Sequence, residues 1–185
     1  KDSNGRDVVG VYAILPDNTC RFICCDFDDK SCEHGYETDV RAYVKVCKDW
    51  NIPAYIERSR SGNGAHIWIL FAEPIKAKTA RLLGNVILTE AMEREGKMSF
   101  KSYDRFFPNQ DFMPQGGFGN LVALPLQGQS RRNGNSVFVD ERFQPYHDQW
   151  AYLQTMQKMT MTEVESAVAK YSREQAMGEL SKSSE

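Results

Sequence analysis

Ile23, Cys25 and Phe27 alternate with Cys24, Asp26 and Asp28 along one short segment. A period of two sends these sets to opposite faces of a strand. Such a strand needs an apolar layer on one side and must leave two carboxylates on the other. The same division recurs downstream, where Ile67, Ile69 and Phe71 face one way and His66 and Trp68 the other. Two strands with matching apolar faces predict a sheet covered by helices on that side only.

The rest of the chain supplies those helices. Val40, Tyr43, Val44 and Cys47 fall at i, i+3, i+4 and i+7, which predicts a helix over Glu37–Asn51. Ala80, Leu83, Ile87 and Ala91 form a second stripe within Lys76–Glu95. Strands are expected at Val8–Leu15, Cys20–Asp28, Pro53–Arg58, Ala65–Phe71, Asn120–Pro125 and Asn135–Asp140. The turn residues Pro16-Asp17-Asn18 suggest that the first two form a hairpin. Gly96–Gly119 reads as irregular and Gly128–Asn135 as a polar loop. Helices follow at Asp148–Met159 and Thr162–Gln175, the latter opened by Thr162 and Glu165 as a capping box. The fold class is α+β, with helices on one face of the sheet and the other face free for a site.

At 185 residues, 41% hydrophobic and 26% charged, the chain has the composition of a single globular domain. Its core is expected at about residues 8–150, followed by C-terminal helices at about 148–177. A net charge of −2 gives no global basic signature, so any nucleic-acid contact must rest on local charge. Five cysteines without a secretory segment suggest reduced thiols and a cytoplasmic setting. No apolar run is long enough to span a membrane. The start at Lys1 and the polar end suggest a piece of a longer protein.

Three motifs carry chemistry. Asp26 and Asp28 share a strand face and suit Mg²⁺ or Mn²⁺, though the pair also fits a solvated turn. Arg58-Ser59-Arg60-Ser61-Gly62-Asn63-Gly64 precedes His66. Its amides, hydroxyls and arginines suit an anion, phosphate above all, while a histidine capping a glycine turn fits as well. With an ordinary pKa, His66 would be an uncharged hydrogen-bond donor much of the time at neutral pH. Ser136–Asp140 is a short apolar strand ending in an acid; beside the first acidic strand, Asp140 would complete a three-carboxylate cluster. Asp111 is the rival third acid. Cys20, Cys24, Cys25, Cys32 and His34 lie close in sequence, but no C-x₂-C pair exists. No structural zinc is expected.

The order of these motifs resembles the archaeo-eukaryotic primase superfamily, with its DxD, SxH-like and final hydrophobic-hydrophobic-Asp motifs. The stretches DFDDK, ERSRSGNGAHIW, FPNQD, GNLVALPLQG and NSVFVDERF are similar, more narrowly, to the primase domain of TOTE conflict systems, a group of primase–helicase proteins. The likeness runs from about Val8 to Trp150. It implies a primase–polymerase core on an RRM-like, mixed or antiparallel sheet. By that resemblance Asp26, Asp28 and Asp140 would be catalytic and bind two divalent ions. Ser61 and His66 would hold the incoming NTP or dNTP, with Gly64 in the same loop. Many relatives carry Lys or Arg where this chain has Asn63, so Arg58, Arg60, Arg131 or Arg132 would supply that charge.

The implied reaction is template-directed nucleotidyl transfer, making primers on single-stranded DNA. The template would lie near Trp68, Phe118 and the Arg131–Arg132 loop, which on composition alone equally fits a flexible hairpin. Helicase or nuclease domains would be partners in a full-length protein, and no membrane partner is expected. A metal-dependent nuclease and an inactive single-strand-binding module are the alternatives.

Overall fold

The computed structural model describes residues 8–29, 35–97 and 99–182. The described elements are β1 (Gly10–Tyr12), β2 (Thr19–Asp28), α1 (Gly35–Asp49), β3 (Tyr55–Arg58), β4 (Gly64–Lys76), α2 (Ala77–Arg94), β5 (Tyr103–Phe107), β6 (Leu121–Ala123), α3 (Gly128–Arg132), β7 (Val137–Val139), α4 (Gln149–Gln154) and α5 (Met161–Lys182). The expected α+β class holds. A five-stranded sheet runs in the order β5-β2-β4-β3-β7, and every pairing in it is antiparallel.

The pleat divides the side chains as the alternation requires. Ile23, Cys25 and Phe27 of β2 join Ile67, Ile69 and Phe71 of β4 in one buried cluster. Against it pack Val40, Tyr43, Val44 and Cys47 of α1 and Ala80, Leu83, Ile87 and Ala91 of α2. Gly84 brings α2 close to the sheet. A Cβ there would lie 2.8 Å from the Phe106 ring and 2.9 Å from Ile23 Cδ1.

The other face is less open than expected. A second cluster, with Ala13, Cys24, Trp68, Phe107, Val122 and Phe138 at its centre, covers much of it. The cover is a two-stranded ribbon of β1 and β6, together with α4. The expected hairpin between the first two strands therefore does not form, and β1 pairs with β6. A strand has two hydrogen-bonding edges, and those of β2 are taken by β4 and β5. The ribbon is fastened by Gln127, whose side chain accepts from Val9 N at 3.1 Å and donates to Val9 O at 2.6 Å and Leu124 O at 2.7 Å.

Three local expectations are corrected. The stretch read as irregular contains β5, and the Arg131–Arg132 loop forms the short α3. The capping box of α5 sits two residues early, where Thr160 N and Oγ1 donate to Glu163 Oε2 and Thr160 Oγ1 accepts from Glu163 N.

Candidate metal and nucleotide site

Asp26 and Asp28 leave β2 on the face away from α1 and α2, as their alternation with Cys25 and Phe27 dictates. The third acid beside them is Asp104. One carboxylate oxygen from each of Asp26, Asp28 and Asp104 lies within 4.8 Å of the others. Asp104 arrives there because β5 is irregular: Arg105 pairs with Asp26, Tyr103 pairs with Phe27, and Asp104 is the extra residue between them. A bulge of this kind reverses the phase of the strand. Tyr103 and Phe106 both reach the helix-side core, and Asp104 turns to the acids.

Asp140 does not join the cluster, which corrects its expected place there. β7 pairs with β3, so β3 and β4 separate it from β2. Three strand spacings amount to about 14 Å. The Asp140 carboxylate instead closes its own turn, accepting from Arg142 N at 2.9 Å and Gln144 N at 2.8 Å. Asp111 is also elsewhere, ion-paired with Arg81 at 2.5 Å.

His66 pairs with Asp26 across β2 and β4 and with Glu57 across β3 and β4. Its Nε2 lies 3.4 Å from Asp26 Oδ1, within ion-pair range, and its Nδ1 lies 3.0 Å from Glu57 Oε2. Burial alone would push the imidazole pKa down. Contact with Asp26 and Glu57 outweighs that and lifts it from 6.5 to about 10. The expectation of an uncharged ring at neutral pH is thereby corrected for the metal-free protein.

The carboxylates fit a divalent cation. Asp26 Oδ1 is buried, and beyond the long His66 contact at 3.4 Å it accepts no hydrogen bond, so it keeps lone pairs for a metal cation. Three hard oxygen donors are the ligand set of Mg²⁺ or Mn²⁺. A basic group also stands at the rim: Arg105, whose side chain is 49% exposed, donates from Nε to Asp104 Oδ2. The expected arginines did not include it.

The glycine loop is partly what its sequence suggests. Arg60, Ser61 and Asn63 are exposed. However, the amides of Ser59, Gly62 and Asn63 are committed within the turn, to Gly64 O, Ser59 O and Ser61 Oγ. Gly64 serves strand packing rather than a ligand, because a Cβ there would meet Phe27 O at 2.4 Å. Arg58 is not aimed at a phosphate either. Its guanidinium donates to Gly134 O at 2.8 Å and Phe143 O at 2.5 Å, tying two loops together.

Trp68 is 4% exposed, so it offers no stacking platform. It walls an apolar cavity of about 400 Å³ with Phe22, Phe138 and Leu153. Its indole N–H donates to Glu57 Oε2 at 2.8 Å. Phe118 is 68% exposed and pairs with the half-exposed Tyr12 at a ring separation of 5.2 Å. Arg131 and Arg132 are exposed on α3.

Cys20, Cys24, Cys25 and Cys47 are buried free thiols. Cys32 and His34 lie outside the described residues. No described helix is long and apolar enough to cross a membrane.

Residues 2–167 match the family model described as "TOTE conflict system, Archaeo-Eukaryotic Primase domain". A search of curated proteins finds no match.

Proposed function

As the chain belongs to the archaeo-eukaryotic primase family of TOTE conflict systems, we propose that it is a DNA primase–polymerase. It joins NTPs or dNTPs into primers on a single-stranded DNA template. The observation that carries this reading is the convergence of Asp26, Asp28 and Asp104 beside His66 on the sheet face opposite α1 and α2.

Asp26, Asp28 and Asp104 would hold two Mg²⁺ or Mn²⁺ ions, which supply Lewis acidity to the attacking 3′-hydroxyl and the departing pyrophosphate. The remaining work falls to side chains. His66 Nε2 donates a charge-assisted hydrogen bond to a phosphate oxygen. Ser61, Asn63 and Arg60 on the exposed loop bind the distal phosphates. Arg105 faces the same acids and offsets charge on the triphosphate. Arg131 and Arg132 would contact the template backbone, and Phe118 with Tyr12 would stack its bases.

The test is incubation with single-stranded DNA, Mg²⁺ or Mn²⁺, and each nucleotide set, followed by sizing of products. New chains with pyrophosphate release are expected, and Asp104→Asn should abolish both. Shortening of the template without pyrophosphate would replace this reading with a nuclease. Binding of the strand with neither product would make the domain an inactive binding module.

A further inference from the structure

Glu57 is the most buried acid near the site, with 1% of its surface exposed. A carboxylate in that position is costly unless donors surround it. Three do. Oε2 accepts from Trp68 Nε1 at 2.8 Å and lies 3.0 Å from His66 Nδ1. Oε1 accepts from Ser136 Oγ at 3.3 Å. The donors come from β4 and from the entry to β7, while Glu57 itself stands on β3. No such carboxylate is needed to fill the space, since its neighbours Trp68 and Phe138 already form an apolar cluster.

We infer that Glu57 is a positioning residue: it fixes the plane and proton placement of His66 so that Nε2 points at the acid cluster and at an incoming phosphate. A histidine has two ring nitrogens, and the bond made by one sets the role of the other. With Nδ1–H given to Glu57, Nε2 remains for the site, where Asp26 Oδ1 already lies 3.4 Å away. Trp68 completes the support. By donating to the same Oε2, it keeps the carboxylate from rotating away from the imidazole. The buried tryptophan thus serves the nucleotide site at one remove. The ligand class, a nucleoside triphosphate, rests on the function proposed above; the hold on His66 does not.

Glu57→Gln isolates the charge. Its carbonyl still accepts from His66 and Trp68, and its amide can donate to Ser136 Oγ. Two measurements are made on the whole domain. The first is the imidazole ¹H and ¹⁵N spectrum of metal-free protein. In the native chain Nδ1–H should appear as a slowly exchanging, downfield proton; in Glu57→Gln it should move upfield, with the Trp68 indole signal retained as a check on folding. The second is titration with Mn²⁺ alone and with Mn²⁺ plus nucleoside triphosphate. The variant should lose about tenfold in nucleotide affinity while Mn²⁺ affinity stays within about twofold. Unchanged imidazole signals would overturn the inference. So would an equal loss of Mn²⁺ affinity, which would make Glu57 a support of the acids. If native protein binds no triphosphate at all, the proposed function falls, and the spectrum still decides whether Glu57 holds His66.

Discussion

Arg105 donates from Nε to Asp104 Oδ2 at 2.5 Å, which places a guanidinium against the acid that the β5 bulge delivers. In metal-free protein this arginine is the cation nearest the cluster on its own strand. Arg105→Ala should therefore strengthen Mn²⁺ binding without nucleotide. A half-exposed neighbouring charge is worth about 0.5–1 kcal/mol, or roughly twofold to fivefold in affinity. With nucleotide present the same variant should bind more weakly. Calorimetric titration in both states checks the reversal of sign, and weaker metal binding in the variant would refute it.

Asp104→Asn and Asp140→Asn should behave oppositely. The first removes a charge from the cluster and should abolish measurable Mn²⁺ binding. The second leaves metal binding intact, because Asp140 only closes its own turn. Asp140→Ala, which deletes the Oδ1 acceptor of both hydrogen bonds, should cost about 1–2 kcal/mol of stability. Mn²⁺ relaxation enhancement and urea denaturation separate the two. Metal loss on altering Asp140 would restore it to the site.

The pair Asp26 and Asp28 was legible because an unbroken alternation fixes which face each side chain takes. Asp104 was not, since strict alternation from Phe106 would send it toward the helices. The one trace was Tyr103 and Phe106, two core aromatics three residues apart, a spacing no regular strand can bury on one face. Asp140 misled for the complementary reason: its face could be inferred but not the neighbour of its strand. Pairing order is a long-range property, and β7 lies next to β3. Similarly, Arg58 carries the charge expected of a phosphate ligand, yet local sequence does not reveal the carbonyls of Gly134 and Phe143 that take its donors.

Arg58→Ala should act on stability rather than on ligand contact. It deletes two charge-assisted hydrogen bonds and leaves two carbonyls without those donors, at about 2–4 kcal/mol. The melting temperature should fall by several degrees while metal affinity at low temperature is kept. A loss of metal affinity in fully folded variant would contradict this.

The buried thiols make the domain sensitive to alkali. Burial raises Cys20 from 9.0 to about 12 and holds Cys24 and Cys25 well above the usual range. Their folded pKa values exceed the unfolded ones, so the stability they contribute is full below pH 9. It is lost progressively as pH rises toward 12, because only the unfolded chain releases those protons. Under reducing conditions the urea midpoint should fall across that window. Replacing Cys20 by Ala should flatten the slope, and an unchanged slope would count against the assignment. At neutral pH the four buried thiols should resist maleimide until the chain unfolds.

The side chain of Gln127 grips the backbone of Val9 across 118 positions of sequence. During synthesis, then, β1 has no partner until β6 and Gln127 have left the ribosome. β1 must wait, unpaired, while β2, β3, β4 and β5, which all precede β6 in the chain, are free to pair first. A nascent chain stalled before Gln127 emerges should leave the residues around Val9 open to protease, and release of a few more residues should close them.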